Sequence, residues 1–212
     1  MADLIFYTNP QSRGRIVRWM LEEVGEPYDT EIVTYDRMKD AAYLAVNPMG
    51  KVPAIKHRGK VITECAAICA YLADVFPQAG LRPTDDEKAD YYRWLFYAAG
   101  PLEQAVTNNY AKFTPSPEQG RMFGYGNYDT AIDVLDKLLA SRNYVCGDRF
   151  TAADVYVGSA VMWGTQFGTM PQRDSFAAYA ERIKGREAFL RAGQKDDEAQ
   201  AQMQPVQQPQ PA

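Results

Sequence analysis

Residues 47–72 read NPMGKVPAIKHRGKVITECAAICAYL, and this stretch decides how the first part of the chain folds. An apolar strand interrupted at Val52-Pro53 is followed by a basic turn at 56–60 and a second strand at 61–63. Glu64 then opens a helical pattern. Because only a short turn separates the two strands, we expect an antiparallel hairpin that leads into a helix.

Two residues of this stretch indicate a site for a small peptide. Proline has no N–H to donate, so pairing within the sheet should stop at Pro53 and leave the backbone of Val52 free for an extended ligand. Glu64 lies at a helix start, where backbone donors favour a carboxylate. Each feature also has an ordinary explanation, as a turn that ends a strand and as an acidic helix start.

The residues before this stretch predict a strand, a helix and a second strand. LIFYT at 4–8 is a compact apolar run, and 28–35 is rich in β-branched residues. Between them, 13–24 carries apolar side chains at helical spacing, and Gly25 ends the pattern. Such a unit implies a parallel pair of strands with a right-handed crossover. The charged segment 36–45 is irregular, with room for a short helix.

The residues after this stretch predict helices only. A long helix through 92–106 is kinked at Pro101, and a capping box of Thr151 and Asp154 opens a hydrophobic helix that ends at Trp163. Further helices are predicted at 121–140, 174–184 and 187–192.

These patterns divide the chain into an α/β domain at 1–78 and an all-α domain at 87–195. The segment 79–86 belongs to a stretch rich in proline, glycine and polar residues, which is typical of a linker. Residues 196–212 are predicted to be a disordered tail, because the last thirteen residues contain six Gln and three Pro.

The composition excludes several classes of protein. A net charge of -4 with scattered Lys and Arg argues against nucleic-acid binding. No run of about 18 apolar residues and no basic leader is present, so we expect no membrane span and no signal peptide. The three cysteines fit no zinc or CxxC pattern, which indicates a reducing cytoplasm and no metal site. His57 is the only histidine and is expected to be solvated, which leaves no Ser-His-Asp triad.

Four segments, taken in order, resemble the cytosolic glutathione transferases of bacterial type with a serine-type active site. They are NPQSRGRIVRWMLEEVG at 9–25, NPMGKVPAI at 47–55, ITECAAICAYLAD at 62–74 and YVCGDRFTAADV at 144–155. The first resembles the family's catalytic turn and helix, the second its cis-proline segment, the third its γ-glutamyl-binding segment, and the fourth its capping box. The resemblance covers residues 4–192.

This resemblance implies a thioredoxin-like N-terminal domain, an all-helical C-terminal domain and a site between them. It implies a detoxifying glutathione S-transferase, a homodimer, that conjugates the glutathione thiolate to a small hydrophobic electrophile. Because a fold does not determine a function, two alternatives stay open. One is a glutathione-dependent reductase, peroxidase or isomerase, and the other is a non-catalytic binding module.

The resemblance also implies how the tripeptide is held. The backbone of Val52, turned outward by a cis bond to Pro53, pairs with the cysteinyl part. Glu64 meets the α-ammonium of the γ-glutamyl end, and the N–H of Cys65 at the helix start receives its carboxylate. The cysteine departs from the family pattern, which has a serine or threonine after the acid, so one hydroxyl contact is lost.

Four more residues complete the implied site. Lys51 and Lys39 lie where members of the family place cations near the glycyl carboxylate. Tyr110 and Phe113 are candidates for the apolar wall that holds the second substrate. Both aromatic residues could instead belong to the helical core.

The catalytic group must stabilise a thiolate, because a free thiol has a pKa near 8.5 and is mostly protonated at neutral pH. A donor at the start of the first helix would lower this pKa. Ser12 is our choice for that donor, although serine is also a favoured N-cap. Gln11, Asn9 and Tyr7 remain alternatives, and Arg15 is a further source of positive potential.

Overall fold

The sheet lies in the N-terminal domain of the computed structural model, which describes residues 3–203. Its strands are β1 (Leu4–Thr8), β2 (Asp29–Ile32), β3 (Ala54–His57) and β4 (Lys60–Thr63). They are arranged in the order β2-β1-β3-β4, with β1 parallel to β2 and the other pairs antiparallel. The predicted parallel pair and the predicted hairpin are both confirmed.

Helix α1 (Gly14–Val24) makes the crossover between the parallel strands and packs its apolar face inward. Val17 and Met20 on that face are fully buried. The helix ends as predicted at Gly25, which has a φ of 78° and donates its N–H to Leu21 O at 3.0 Å. Glycine adopts this left-handed conformation without a Cβ clash, so it is a favourable C-terminal cap.

Two helices flank the hairpin. The short α2 (Ala41–Leu44) precedes it within the irregular segment, and α3 (Cys65–Val75) follows it directly. The solvated position predicted for His57 is wrong, because only 3% of this residue is exposed. Its Nδ1 lies 2.9 Å from the hydroxyl of Tyr71 on α3, and its ring packs against Phe76. The helix that follows the hairpin folds back over it and covers the imidazole.

The helical domain contains the remaining helices. They are α4 (Lys88–Tyr97), α5 (Glu103–Tyr110), α6 (Tyr128–Ser141), α7 (Ala152–Gln166), α8 (Asp174–Lys184) and α9 (Glu187–Gln202). At the position of the predicted kink, a π-helical segment, Ala98–Leu102, contains Pro101 and joins α4 to α5. Proline lacks the N–H of a regular helical turn, and a π segment accommodates this loss.

The predicted start of one helix and the predicted end of another are wrong. The helix predicted from residue 121 begins at Tyr128, where the side chain of Asn127 accepts a hydrogen bond of 2.8 Å from Thr130 N. Helix α9 continues to Gln202, through 196–202 of the predicted tail. The rest of that predicted tail, from residue 204, lies outside the described residues.

The start of α7 confirms the predicted capping box. The side chain of Thr151 caps the helix, and the carboxylate of Asp154 accepts the Thr151 N–H at 2.8 Å. The largest cluster of buried apolar side chains continues from α1 and α3 into this helix. Trp19 of α1, for example, packs against Phe150 with ring centroids 5.9 Å apart. The two domains therefore share one core, which fixes the cleft between them.

Candidate active site

A cleft of about 1240 Å³ separates the N-terminal domain from the helical domain. On the side of the N-terminal domain, the cleft is lined by the turn before α1 and by Lys51 and Val52. On the other side it is lined by residues of α5, α7 and the segments next to them. The cleft thus brings Gln11, Ser12, Lys51, Val52 and Tyr110 together among the predicted site residues.

The turn before α1 is held by the buried side chain of Asn9. Its Nδ2 donates to Val33 O at 3.2 Å, and its Oδ1 accepts from Gln11 N at 2.9 Å. Both ends of this amide are occupied, and the residue is fully buried. Asn9 therefore shapes the turn and does not line the cleft.

Ser12 lines the cleft at the centre of this turn. Its hydroxyl donates to Asn9 O at 2.6 Å and accepts from Gly14 N at 3.0 Å. The hydroxyl therefore satisfies the first N–H of α1 and borders the cleft at the same time. To donate a hydrogen bond to a ligand, the hydroxyl must rotate away from the Asn9 carbonyl.

The other two candidates for the thiolate donor differ in position. Gln11 is exposed and lines the cleft. Tyr7 is buried in a small core cluster against Tyr43, and it is not among the residues that line the cleft. Burial raises the pKa of Tyr7, and the nearby carboxylate of Glu31 adds to the shift. This position makes Tyr7 a core residue of the sheet.

The segment before β3 presents Val52 to the cleft. The Val52-Pro53 peptide is cis, and within residues 3–203 neither the N–H nor the carbonyl of Val52 is hydrogen-bonded. The preceding carbonyl, of Lys51, accepts from Tyr43 Oη at 2.6 Å and from Asn47 Nδ2 at 2.7 Å. These two bonds hold the segment, and they leave the backbone of Val52 open to an extended ligand.

The two lysines predicted to be near the glycyl carboxylate are placed differently. Lys51 is exposed and lines the cleft. Lys39 is exposed outside the lining, and its Nζ donates to Met49 O at 3.1 Å. Lys51 is therefore a cation of the cleft, whereas Lys39 holds a loop.

Glu64 occupies the start of α3 with a φ of 67°, which is rare for a residue with a side chain. Such a conformation costs on the order of 1–3 kcal/mol and persists where the surroundings require it. The residue is exposed, and its carboxylate has no ion pair or hydrogen bond with the rest of the described chain. Although Glu64 is not among the lining residues of the cleft, its carboxylate is open to an ammonium group.

Cys65 is buried behind the turn rather than open to the cleft. Its Sγ lies 3.8 Å from Arg13 O, and burial raises the pKa of its thiol to about 12. Burial also raises the pKa of Cys69, one helical turn later, well above its ordinary value. Both thiols are therefore protonated at neutral pH, which makes them poor nucleophiles.

The helical domain supplies an apolar wall opposite the turn. Its principal side chains are Leu102, Val106, Tyr156, Trp163, Phe167 and Met170. Tyr110 extends this wall at the mouth and is 77% exposed. The sequence patterns placed Trp163 in a core helix and gave no signal that distinguishes a wall from a core.

Phe113, the other residue predicted for the wall, is not among the residues that line the cleft. After the end of α5, Lys112 takes a left-handed conformation with a φ of 59°. This turn carries Phe113 away and packs it against Phe123, with ring centroids 5.7 Å apart.

Sequence reasoning also missed two polar contacts around the turn. Arg13 forms an ion pair of 2.8 Å with Glu103, which joins the turn to the start of α5 across the cleft. Tyr35 donates its hydroxyl to Gln11 O at 2.9 Å and lines the cleft beside it. Both contacts link residues distant in sequence, so no local motif could indicate them.

Neither a metal-binding group nor a membrane-spanning helix is found in the described part of the chain. Residues 3–203 contain no group of three or more His, Cys, Asp or Glu that could hold a metal ion. No helix in the same range is long and apolar enough to cross a bilayer.

The fold and the cleft define a class of protein, a thioredoxin-like domain joined to an all-helical domain with a ligand site between them. Known proteins of this class match the chain. Residues 12–75 match the model of the glutathione S-transferase N-terminal domain, and residues 102–165 match that of the C-terminal domain. Glutathione S-transferase GstA of Escherichia coli O157:H7 is 32% identical, over 68% of this chain and 73% of that protein.

Two further relatives agree with these matches. Protein LigF of Sphingobium sp. (strain NBRC 103272 / SYK-6) is 58% identical, over 68% of this chain and 74% of that protein. A sphingomonad glutathione S-transferase, solved in complex with glutathione, superimposes with a TM-score of 0.74 at 26% identity. That superposition covers 91% of this chain and 98% of the other.

The chain belongs to the glutathione S-transferase family. This result confirms the predicted family and fold, and with them glutathione as the co-substrate.

Proposed function

We propose that the chain conjugates the glutathione thiolate to a small hydrophobic electrophile in the cleft between its domains, as a step in detoxification. One observation carries this proposal. The cleft sets a polar turn at the start of α1 opposite an apolar wall from α5 and α7. A thiolate held at the turn would therefore face an apolar second substrate.

Glutathione is placed along the N-terminal side of the cleft. The unpaired backbone of Val52 receives the cysteinyl part, as an added strand would. The open carboxylate of Glu64 meets the α-ammonium, and the N–H of Cys65 receives the α-carboxylate. Lys51 binds the glycyl carboxylate, while Lys39 acts on it only from a greater distance. Pro53 fixes the direction of the segment.

Ser12 is our proposed donor to the thiolate. Supporting this role are its position in the lining and its place in the turn before α1, whose helix dipole favours a negative charge. When glutathione binds, the Ser12 hydroxyl breaks its hydrogen bond to the Asn9 carbonyl and donates to the sulfur instead. Gln11 is the remaining alternative, because it also lines the cleft.

The electrophile is held by the apolar wall. Trp163 and Phe167 offer large apolar surfaces, and Tyr110 adds an exposed aromatic ring at the mouth. Burial of an apolar ligand here gains roughly 25 cal/mol for each Å² removed from water. The wall therefore selects for hydrophobicity, with little directional polar recognition.

The test combines binding with turnover. We expect glutathione bound to the wild type to have a thiol pKa below its free value, measured by thiolate absorbance. We also expect conjugation of 1-chloro-2,4-dinitrobenzene. Ser12→Ala should raise the pKa of the bound thiol, and Tyr110→Leu should weaken the binding of the electrophile. Phe113→Leu is the matched control for the wall, because its ring lies outside the cleft.

Each alternative has its own outcome in this test. Reduction of cumene hydroperoxide or of a disulfide, with little conjugation, would favour a reductase or peroxidase. Glutathione binding without any turnover would favour a binding module. A bound thiol with its ordinary pKa in the wild type would refute thiol activation altogether.

We also infer a homodimer in the cytoplasm. Tyr92 and Phe96 of α4 are exposed aromatic side chains, Phe96 by 71%, so a second copy has an apolar surface to cover. Sedimentation of the wild type and of Phe96→Glu tests this assembly. A reducing compartment is supported by the three cysteines, which are all unpaired.

A further inference from the structure

We propose that Arg15 and Asp197 are positioning residues that hold the catalytic turn, so that the last turns of α9 form part of the active site. This inference rests on the proposed role of the turn in activating the thiol. It adds to that role a residue of the chain's last described helix, which lies 182 positions from Arg15 in sequence.

The guanidinium of Arg15 connects the turn to α9. Its Nε donates to Pro10 O at 2.6 Å, and its Nη2 donates to Asp197 Oδ1 at 2.7 Å and to Gln200 Oε1 at 3.3 Å. A guanidinium is planar and rigid, so the contacts on one edge fix the direction of the other. The position of α9 therefore sets the direction in which Arg15 holds the Pro10 carbonyl.

Three successive carbonyls of the turn are each held by a side chain. Asn9 O accepts from Ser12, Pro10 O accepts from Arg15, and Gln11 O accepts from Tyr35. The bond from Arg15 is the charged one of the three, and charged donors make the stronger hydrogen bonds. Arg15 thus has the largest part in fixing the peptide immediately before Gln11 and Ser12.

The neighbour of Asp197 fixes the position of α9. Asp196 forms an ion pair of 3.1 Å with Arg18, and the two side chains are 1% and 4% exposed. Farther along the same interface, Arg186 binds Glu23 through two hydrogen bonds, of 2.6 and 2.7 Å. Since consecutive acids bind successive arginines of α1, the buried pair places Asp197 beside Arg15.

Asp197 also decides what kind of effect Arg15 can have. Its carboxylate lies beside the guanidinium, so it compensates the positive charge that Arg15 would otherwise direct at a bound thiolate. Arg15 therefore acts by orienting the Pro10 carbonyl of the turn, and not through a net positive charge near the thiolate. The two mechanisms predict opposite results when the charge of Asp197 is removed but its hydrogen-bond acceptor is kept.

The experiment measures the pKa of the glutathione thiol bound to four full-length proteins. They are the wild type, Asp197→Ala, Asp197→Asn and Arg191→Gln. We expect Asp197→Ala, which loses the acceptor, to raise the bound thiol pKa by about one unit, which is about tenfold less thiolate below that pKa. Asp197→Asn keeps an acceptor and should stay within about a third of a unit of the wild type.

Arg191→Gln is the matched control. Arg191 also pairs α9 with α1, through Glu22 at 3.4 Å, but it lies away from the turn. We expect no change in the bound thiol pKa for this variant. Asp197 is 71% exposed, so its substitution should leave the fold intact, and circular dichroism verifies this.

Three outcomes would overturn the inference. An unchanged thiol pKa in Asp197→Ala would exclude positioning, and a lowered pKa in Asp197→Asn would show that Arg15 acts through its charge. An equal rise in Arg191→Gln would indicate a general loosening of the helix interface.

Failure of the proposed function is recognised separately, because it depends on the wild type alone. If the wild type leaves the thiol pKa at its free value, thiol activation is refuted. Hydrogen exchange of the backbone amides of residues 9–15 then tests whether Asp197 holds the turn. We expect faster exchange in Asp197→Ala and not in Arg191→Gln. Equal exchange in the two variants would overturn it.

Discussion

The starts of α1 and α7 have the same local feature, a hydroxyl residue before the helix, but they differ in their surroundings. Ser12 and Thr151 are both hydroxyl residues just before a helix, and each takes part in hydrogen bonds that close its first turn. At α7 the turn is buried, and the capping hydroxyl and carboxylate have their partners within the fold. At α1 the turn borders a cleft. Tertiary cover, rather than the cap itself, separates a structural helix start from a functional one.

The buried start is organised by the carboxylate of Asp154, which is fully buried. It accepts from Val145 N, Thr151 N and Tyr179 Oη, each at 2.8 Å. All of these donors belong to the protein, so the network has no group left for a ligand. The start of α1, by contrast, leaves the hydroxyl of Ser12 at the cleft.

The largest expected effect is the loss of the buried carboxylate. Asp154→Ala removes the acceptor of two buried backbone N–H groups and two hydroxyls, which we expect to cost about 3–5 kcal/mol in the free energy of unfolding. Urea unfolding of the wild type and the variant measures this difference. A loss below about 1 kcal/mol would contradict the structural role assigned to this network.

The same carboxylate gives a pH dependence of known sign. Burial raises the pKa of Asp154 from 3.8 to about 6, against the effect of its hydrogen bonds. The folded state therefore binds the proton more tightly than the unfolded state. This contributes about 3 kcal/mol that is fully present below pH 4 and lost as the pH rises through 6.

Unfolding titrations between pH 4 and 7 test this dependence. Asp154→Asn cannot titrate at this position, so its free energy of unfolding should lack this component. Identical pH slopes in the two proteins would show that the carboxyl group does not titrate in this range.

The open start should show the opposite behaviour, a loss of activity with little loss of stability. We expect Ser12→Ala to reduce conjugation at pH 6.5 by about tenfold, because a hydrogen bond to a charged sulfur is worth about 1.5–3 kcal/mol. Steady-state kinetics measures the loss. The melting temperature should fall by only a few degrees, because the Asn9 carbonyl keeps its hydrogen bond of 3.1 Å from the backbone N–H of residue 12.

The smallest expected effect is at the buried hydroxyl. Thr151→Ala removes a helix cap and should cost about 1 kcal/mol of stability, measured by urea unfolding. The conjugation rate per folded molecule should not change, because Thr151 is fully buried away from the cleft. A loss of activity here as large as that in Ser12→Ala would abolish the distinction between the two helix starts.

Much of the fold could be predicted because its signals are local. Hydrophobic periodicity predicted the order of strands and helices, and the resemblance of residues 47–55 to the family's cis-proline segment implied the cis peptide that the structure contains. The capping box at Thr151 was predictable for the same reason, since its two members are three positions apart.

The rest depended on contacts between distant residues. The last turns of α9 form ion pairs with α1, such as Arg18 with Asp196, and the Gln-rich composition of this segment gives no local signal of them. The burial of His57 depends on how α3 packs over the hairpin. The position of the Phe113 ring depends on the left-handed conformation of Lys112. At the site, residue types suggested both Ser12 and Tyr7, and only the packing of Tyr7 separated the two.

The pairing of α1 with α9 has a consequence for how the protein is made. The hydrogen bonds between them join residues from 163 to 185 positions apart. At a synthesis rate of about 5–20 residues per second, α1 waits roughly 10–40 s after its own translation for its partner helix. During this interval its charged flank is exposed to solvent and the catalytic turn lacks one of its supports. The active site is therefore completed only after α9 has been synthesised.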